Sequence, residues 1–174
     1  QDEIFDEGDA GTVPAPDDAL PDATLSTDAE EPAIRRYAAP FENVDEKALL
    51  AVVLFDVGEA AGGLDLAALT TLSLPVTVVI DPEVPDSAAR AAAFRKAGFE
   101  IAILSKLPQG ASASDAEVTH QGALAVLPEA VAIVGAPDAP MQTDGQVAGH
   151  LVELALADGL GVVSFAGGLN PVPR

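Results

Sequence analysis

The chain has 174 residues, 49% of them hydrophobic by type, only 4% aromatic and none of them cysteine. That length sets one domain as the default, with a core built from Ala, Val and Leu rather than from rings. A formal net charge of −20 repels phosphate backbones and anionic lipid surfaces, which excludes nucleic acid as a natural partner. The missing cysteines exclude disulfides and thiolate metal sites, and no apolar run reaches the roughly 20 residues needed to span a bilayer.

Residues 1–33 stand apart in composition. Asp2, Glu3, Asp6, Glu7, Asp9, Asp17, Asp18, Asp22, Asp28, Glu30 and Glu31 carry no offsetting Lys or Arg, and Pro14, Pro16, Pro21 and Pro32 interrupt any helix. The pattern predicts a self-repelling, disordered tail or linker. It reads either as a solvated spacer or as a docking tail anchored by Ile4-Phe5 and Leu20. The sequence opens on Gln1 rather than Met, as expected of a chain with something upstream, such as a signal or an anchor. The character changes at Ile34, Tyr37 and Phe41, and 33–43 reads as a lead-in that packs on a domain occupying 34–174.

The stretch LLAVVLFDVG, Leu49–Gly58, is an unbroken apolar run that stops at Asp56. It predicts a strand over 49–55, buried on both faces as in a parallel sheet. Gly58, Gly62 and Gly63 follow in a loop, and 64–72 reads as a short helix with Leu64, Ala68 and Leu72 on one face. VTVVI at 76–80 is the second strand. Asp86 offers an N-cap for a helix over 87–97, closed by Gly98. Residues 99–104 form the third strand. Ser114-Asp115-Ala116-Glu117 matches a capping box for a helix reaching about Leu127. Residues 130–134 form the fourth strand, Thr143-Asp144-Gly145-Gln146 opens a helix to about Asp158, and 161–165 is the fifth strand.

Strands and helices alternating at βαβ spacing argue for a parallel α/β sheet with right-handed crossovers. Two architectures satisfy the alternation. One is an open doubly wound sheet of five strands, the other a partial or distorted (β/α) barrel.

The residue types offer little chemistry by themselves. No Gly-rich phosphate loop follows the first strand, and neither a Walker pattern nor a GxSxG is present. His120 and His150 both fall inside helices rather than at strand ends, where a solvated role is the plain expectation. Asp56 and Asp81 stand at strand ends, with Glu59 and Glu83 in the loops. Two such carboxylates suit a hard cation or acid/base work; alternatively each accepts backbone N–H bonds from its own loop.

LLAVVLFDVG, then LPVTVVIDPEVPD, then AARAAAFRKAGFEIAIL resemble the divergent polysaccharide deacetylase family, whose members read like IALVIDDLG, LPxxVTLAFxPYAPN and AxxAGHEVLLHLPM. Weaker similarity runs through LPEAVAIVGAP and GLGVVSFAG, so that the likeness covers about 48–170. It implies a distorted β/α barrel related to NodB-type esterases, with further strands after Arg174. The implied chemistry is metal-assisted removal of acetyl groups from amino-sugar polymers. Asp56 matches the carboxylate that acts as base, which makes it the candidate catalytic residue. Asp81, Glu83 and Glu100 are the candidate substrate-binding residues. Val57 replaces the metal-binding carboxylate, Phe99 replaces a histidine in the Gly-His-Glu motif, 135–138 lack a histidine, and Ser164 replaces an aspartate. A zinc site needs three protein ligands and an open position for water, so the expectation is a domain with no metal and no cofactor. It would be a pseudoenzyme of the cell envelope, periplasmic or exported, that binds envelope polysaccharide or an envelope protein complex, the latter through the acidic tail. The alternatives are an active carbohydrate esterase with an altered zinc centre, and a cytoplasmic location.

Overall fold

The computed structural model describes residues 31–44, 46–136 and 139–165. The reading of the acidic tail falls almost wholly on 1–30, outside the described residues.

The Val- and Ile-rich runs form five strands: β1 Val52–Asp56, β2 Val76–Ile80, β3 Glu100–Ser105, β4 Ala130–Gly135 and β5 Gly161–Val163. All neighbours pair in parallel, in the order β1-β2-β3-β4-β5. β1 starts three residues later than its apolar run, because its first partner, Val76 opposite Val52, is the first residue of β2. Leu49 and Leu50 are left exposed. β5 ends at Val163, two residues before the expected limit.

Among the described residues the sheet is open: β1 pairs with β2 alone and β5 with β4 alone, so the open five-stranded alternative fits and these five strands do not close into a barrel. The helices follow from the winding. Along a strand successive side chains alternate faces. Val76, Val78, Ile80, Ile101 and Ile103 share one cluster with Phe94, Ala116, Ala123, Met141, Leu151 and Ala155. Those helical residues come from α3 Ser87–Lys96, α4 Ala113–Val126, α5 Pro140–Thr143 and α6 Gly145–Ala157. The opposite face carries the smaller cluster of Val79, Ala102, Ala132 and Val134, with Val53, Leu104 and Tyr37 packed on it. Right-handed crossovers between strands laid down in sequence put every connecting helix on the same side.

The sheet also curls. The rings of Phe55 on β1 and Phe165 just past β5 stack at 6.5 Å between centroids, 26° from parallel. Four strand spacings in a flat sheet would separate those edges by roughly 19 Å. At their carboxyl ends the two outer strands therefore lean toward each other across the face without helices.

Local signals at the helix ends are partly displaced from the sequence reading. The capping box of α4 is Ser112 with Asp115, each bonding the other's backbone N–H, and not Ser114 with Glu117. At α6 the cap is Asp144, which accepts from Gln146 N and Val147 N. Asp86 makes no side-chain bond to its own helix; its carboxylate accepts from Glu59 N at 3.0 Å instead, so it ties α3 to the 3-10 turn Glu59–Ala61. The helix expected over 64–72 is α2 Leu66–Leu69, capped by Asp65, and it buries Leu69 rather than the Leu64–Ala68–Leu72 stripe. A four-residue helix, α1 Ala33–Arg36, begins the lead-in. Among the described residues no helix is long and apolar enough to cross a membrane.

The Ser112 box carries a measurable share of α4. Ser112→Ala leaves Asp115 N without its side-chain acceptor and is expected to lower the unfolding free energy by about 1 kcal/mol. Urea denaturation checks this, and an unchanged midpoint would mean that water caps the helix equally well.

Candidate functional site

Parallel strands bring their carboxyl ends to one edge, where α/β folds collect ligands. Asp56, Asp81, Ser105 and Lys106 arrive there, and the structure sorts them into two separate groups.

Asp56 is the last residue of β1, and its side chain is 1% exposed. Arg90, one turn into α3, grips it as a fork: Nε donates to Oδ2 and Nη2 donates to Oδ1 at 2.6 Å. Leu64 N donates to Oδ1 at 2.8 Å, and Arg90 Nη2 also donates to the Leu64 carbonyl at 2.8 Å. The Gly-rich loop makes this closure possible. A Cβ on Gly63 would fall 2.5 Å from Asp56 Oδ1 and 2.7 Å from the Gly58 carbonyl oxygen. Burial works against the Asp56 charge, but the hydrogen bonds from Arg90 and Leu64 and the guanidinium charge outweigh it, holding the carboxyl below its ordinary 3.8. Arg90 is raised in turn, first by its bond to Asp56. A carboxylate so held is a weak base, with its lone pairs spoken for.

Asp81 follows β2 directly. Its Oδ1 accepts from Glu83 N at 3.0 Å, which folds the loop back on itself. Its Oδ2 accepts from Lys106 Nζ at 2.9 Å, and the same ammonium reaches Glu83 Oε2 at 3.4 Å. The bond to Asp81 is the main reason that Lys106 is held above its ordinary 10.5. Beneath this trio lies a cavity of about 230 Å³, with Ser105, Thr119, His120 and Ile133 among its walls. His120 is buried rather than solvated, and its Nε2 lies 2.7 Å from Asp158 Oδ2 at the end of α6. Ala116, His120 and Ala123 form the buried stripe of α4, and that spacing of four and three residues was the available sign that His120 points inward. His150 is half-buried, 3.8 Å from Glu153.

Glu100 joins neither group. It is the first residue of β3, at the opposite, amino-terminal edge of the sheet. There it accepts from Ala39 N at 2.9 Å and from Thr77 Oγ1 at 2.7 Å. Together with the bond from Arg95 Nη1 to the Tyr37 carbonyl at 2.7 Å, it fastens the lead-in across the base of the sheet. Phe99, beside it, is a core residue, edge-to-face with Phe94 at 6.3 Å.

The zinc that the family resemblance implies does not fit these residues. The oxygens of Asp56 are committed to Arg90 and Leu64, and Val57 offers no donor. Among the described residues no three His, Cys, Asp or Glu side chains come together in a metal-holding arrangement.

No family model and no curated protein matches the chain. Among solved structures it is similar to the crystal structure of an uncharacterized protein from Agrobacterium tumefaciens C58, with a TM-score of 0.62 and 13% identity. The match covers 79% of this chain and 61% of that one, so this chain spans under two thirds of its neighbour. At that identity the likeness shows the fold alone: one parallel α/β sheet with interleaved helices.

Proposed function

We propose that the domain is a polysaccharide-deacetylase-like module of the cell envelope that binds carbohydrate without hydrolysing it. The observation that carries this reading is the fork of Arg90 on Asp56. In a hydrolase of this kind the strand-end carboxylate must take a proton from water or bind a cation. Here it is desolvated, doubly bonded to a guanidinium and held below its ordinary pKa. The group that would do the chemistry instead fastens α3 to β1. Sequential parallel strands with their helices on one face keep the strand–helix order of the deacetylase-like motifs, in an open sheet rather than the barrel that the resemblance implies. The carboxyl edge remains open for a ligand around Lys106, Asp81 and Glu83.

The test is acetate release from an N-acetylated amino-sugar oligomer by the intact chain, with zinc titrated from none to excess. Expected is no release above the uncatalysed background at any zinc level. Acetate production that rises with one equivalent of zinc would overturn the reading and restore an active esterase.

A further inference from the structure

The helical side of the sheet carries a groove that neither the Asp56 fork nor the Lys106 group uses. α4 packs against α6. Toward α4, α3 presents the single methyl groups of Ala88, Ala91 and Ala92, too short to fill the space between the two helices. That space is a groove of about 570 Å³, with Ile101 of β3 on its floor and Ala125 and Val126 on its far wall. One end opens at the amino-terminal edge of the sheet, where residues 127–129 lead into β4. The rim is cationic. Residues 87–98 hold Arg90, Arg95 and Lys96 and no acid, although the whole chain has only eight Lys and Arg. Arg95 is bonded to Glu129 at 3.0 Å, and Lys96 stands exposed at the rim.

We propose that this groove is the docking site of the chain's own acidic amino-terminal segment, with Ile4-Phe5 seated between α3 and α4. Asp2, Glu3, Asp6 and Glu7 then lie against Lys96 and Arg95. Charge and reach choose that occupant. Residues 1–30 carry ten acids and no base, so a domain that is itself net negative repels them over most of its surface. The acid-free α3 attracts them, and residues 118–128 across the groove add no acid. Ile4-Phe5 is the one adjacent pair of large apolar side chains in that stretch, and it supplies the apolar anchor that the charges cannot. The chain enters the domain at the right place. Ile34 N donates to the Gly159 carbonyl at 2.8 Å, just before β5, and β5 pairs directly with β4. Entry point and groove mouth are therefore neighbouring loops at one edge of the sheet. A coil of about 25 residues, the length between Phe5 and Glu31, spans about 25–30 Å. Such a tether holds the anchor near the groove at an effective concentration on the order of millimolar. The competing occupants are the same segment of a second copy and an acidic, apolar stretch of another protein.

A chain without cysteine takes a single nitroxide label cleanly, at Gly8→Cys in the otherwise intact protein. The expected result is that the amide resonances of Ala88, Ala92, Ala125 and Val126 lose most of their intensity, and that added salt restores part of it. Ile4→Ser with Phe5→Ser is expected to restore it fully, since each buried side chain is worth at least about tenfold in the docking equilibrium. Lys96→Glu, an exposed change, should lower the docked fraction about two- to fivefold. Ala92→Glu, also exposed, places a like charge in the groove and should release the segment. No broadening at the groove, or broadening centred on Lys106 or on the exposed Leu49 and Leu50, overturns the proposal. So does groove broadening that survives the Ile4-Phe5 double variant. A mixture of unlabelled isotopic chain and spin-labelled natural-abundance chain is expected to show none. Equal broadening in that mixture would assign the groove to the segment of a second copy and overturn docking on the chain's own domain.

Discussion

Arg90→Ala is expected to destabilise the domain by about 3–5 kcal/mol, because it strands a buried carboxylate without its counterion. Asp56 is 1% exposed against 18% for Arg90, so it is the carboxylate that has no water to fall back on. In a domain of this size each kcal/mol shifts the melting temperature by about 2–4 °C, which places the midpoint roughly 10 °C lower. Arg90→Lys should recover only part of the loss, since an ammonium cannot reproduce the two-pronged geometry. Asp56→Asn added to Arg90→Ala should cost little more, the signature of a shared interaction in a double-mutant cycle. The pH dependence follows from the direction of the Asp56 shift. Its carboxyl sits below 3.8 in the folded chain, so the pair's contribution is fully present above that ordinary value. It drains away as the pH falls through the lowered native one. Urea unfolding at several acidic pH values should show a steeper loss in wild type than in Arg90→Ala. A variant within 1 kcal/mol of wild type would sink this account of the pair.

Phe94→Ala is expected to cost about 3–5 kcal/mol, a large share of the stability typical of one domain. The chain has only six Phe and no Trp, and Phe94 is 1% exposed at the centre of the main cluster. It meets Phe99 edge-on and carries the Arg90 guanidinium over its ring at 5.3 Å. Truncating it both opens a cavity and removes the surface on which Arg90 rests. Phe41→Ala is the contrast: Phe41 is 58% exposed, and its loss should stay within about 0.5 kcal/mol. Thermal melts of the two variants side by side decide the point, and equal midpoints would mean that Phe94 is not the keystone of the core.

The positions of the five strands were legible because each is a run of β-branched or aliphatic residues bounded by Gly, Pro or Asp, a local signal. Whether the sheet closes is not local. It depends on which strands lack a second partner, and no residue of β1 or β5 announces that. Phe55 and Phe165 meet across the sheet only because of its curvature, which the pattern of apolar residues does not encode. At the carboxyl edge, Asp56 was readable as a strand-end carboxylate, and acceptance of a loop N–H, weighed from the sequence, is realised by Leu64. Its partner Arg90 was not readable, because a pair 34 residues apart forms only once α3 lies on β1. Glu100 was drawn to the site by its place in the resembling motif. The direction of β3 puts that place at the far edge, where a backbone amide and a threonine claim the carboxylate.

The strand order carries a kinetic consequence. Each strand from β1 to β4 hydrogen-bonds to the next one along the chain, so no strand has to be inserted between two that are already paired. Loop closures stay short, and the contact order of the sheet is low for a parallel α/β protein. During synthesis β2 can dock on β1 as soon as α2 and its loops have emerged, and every later βα unit finds its partner waiting. Assembly can thus proceed at the pace of translation, the growing edge being the strand just made.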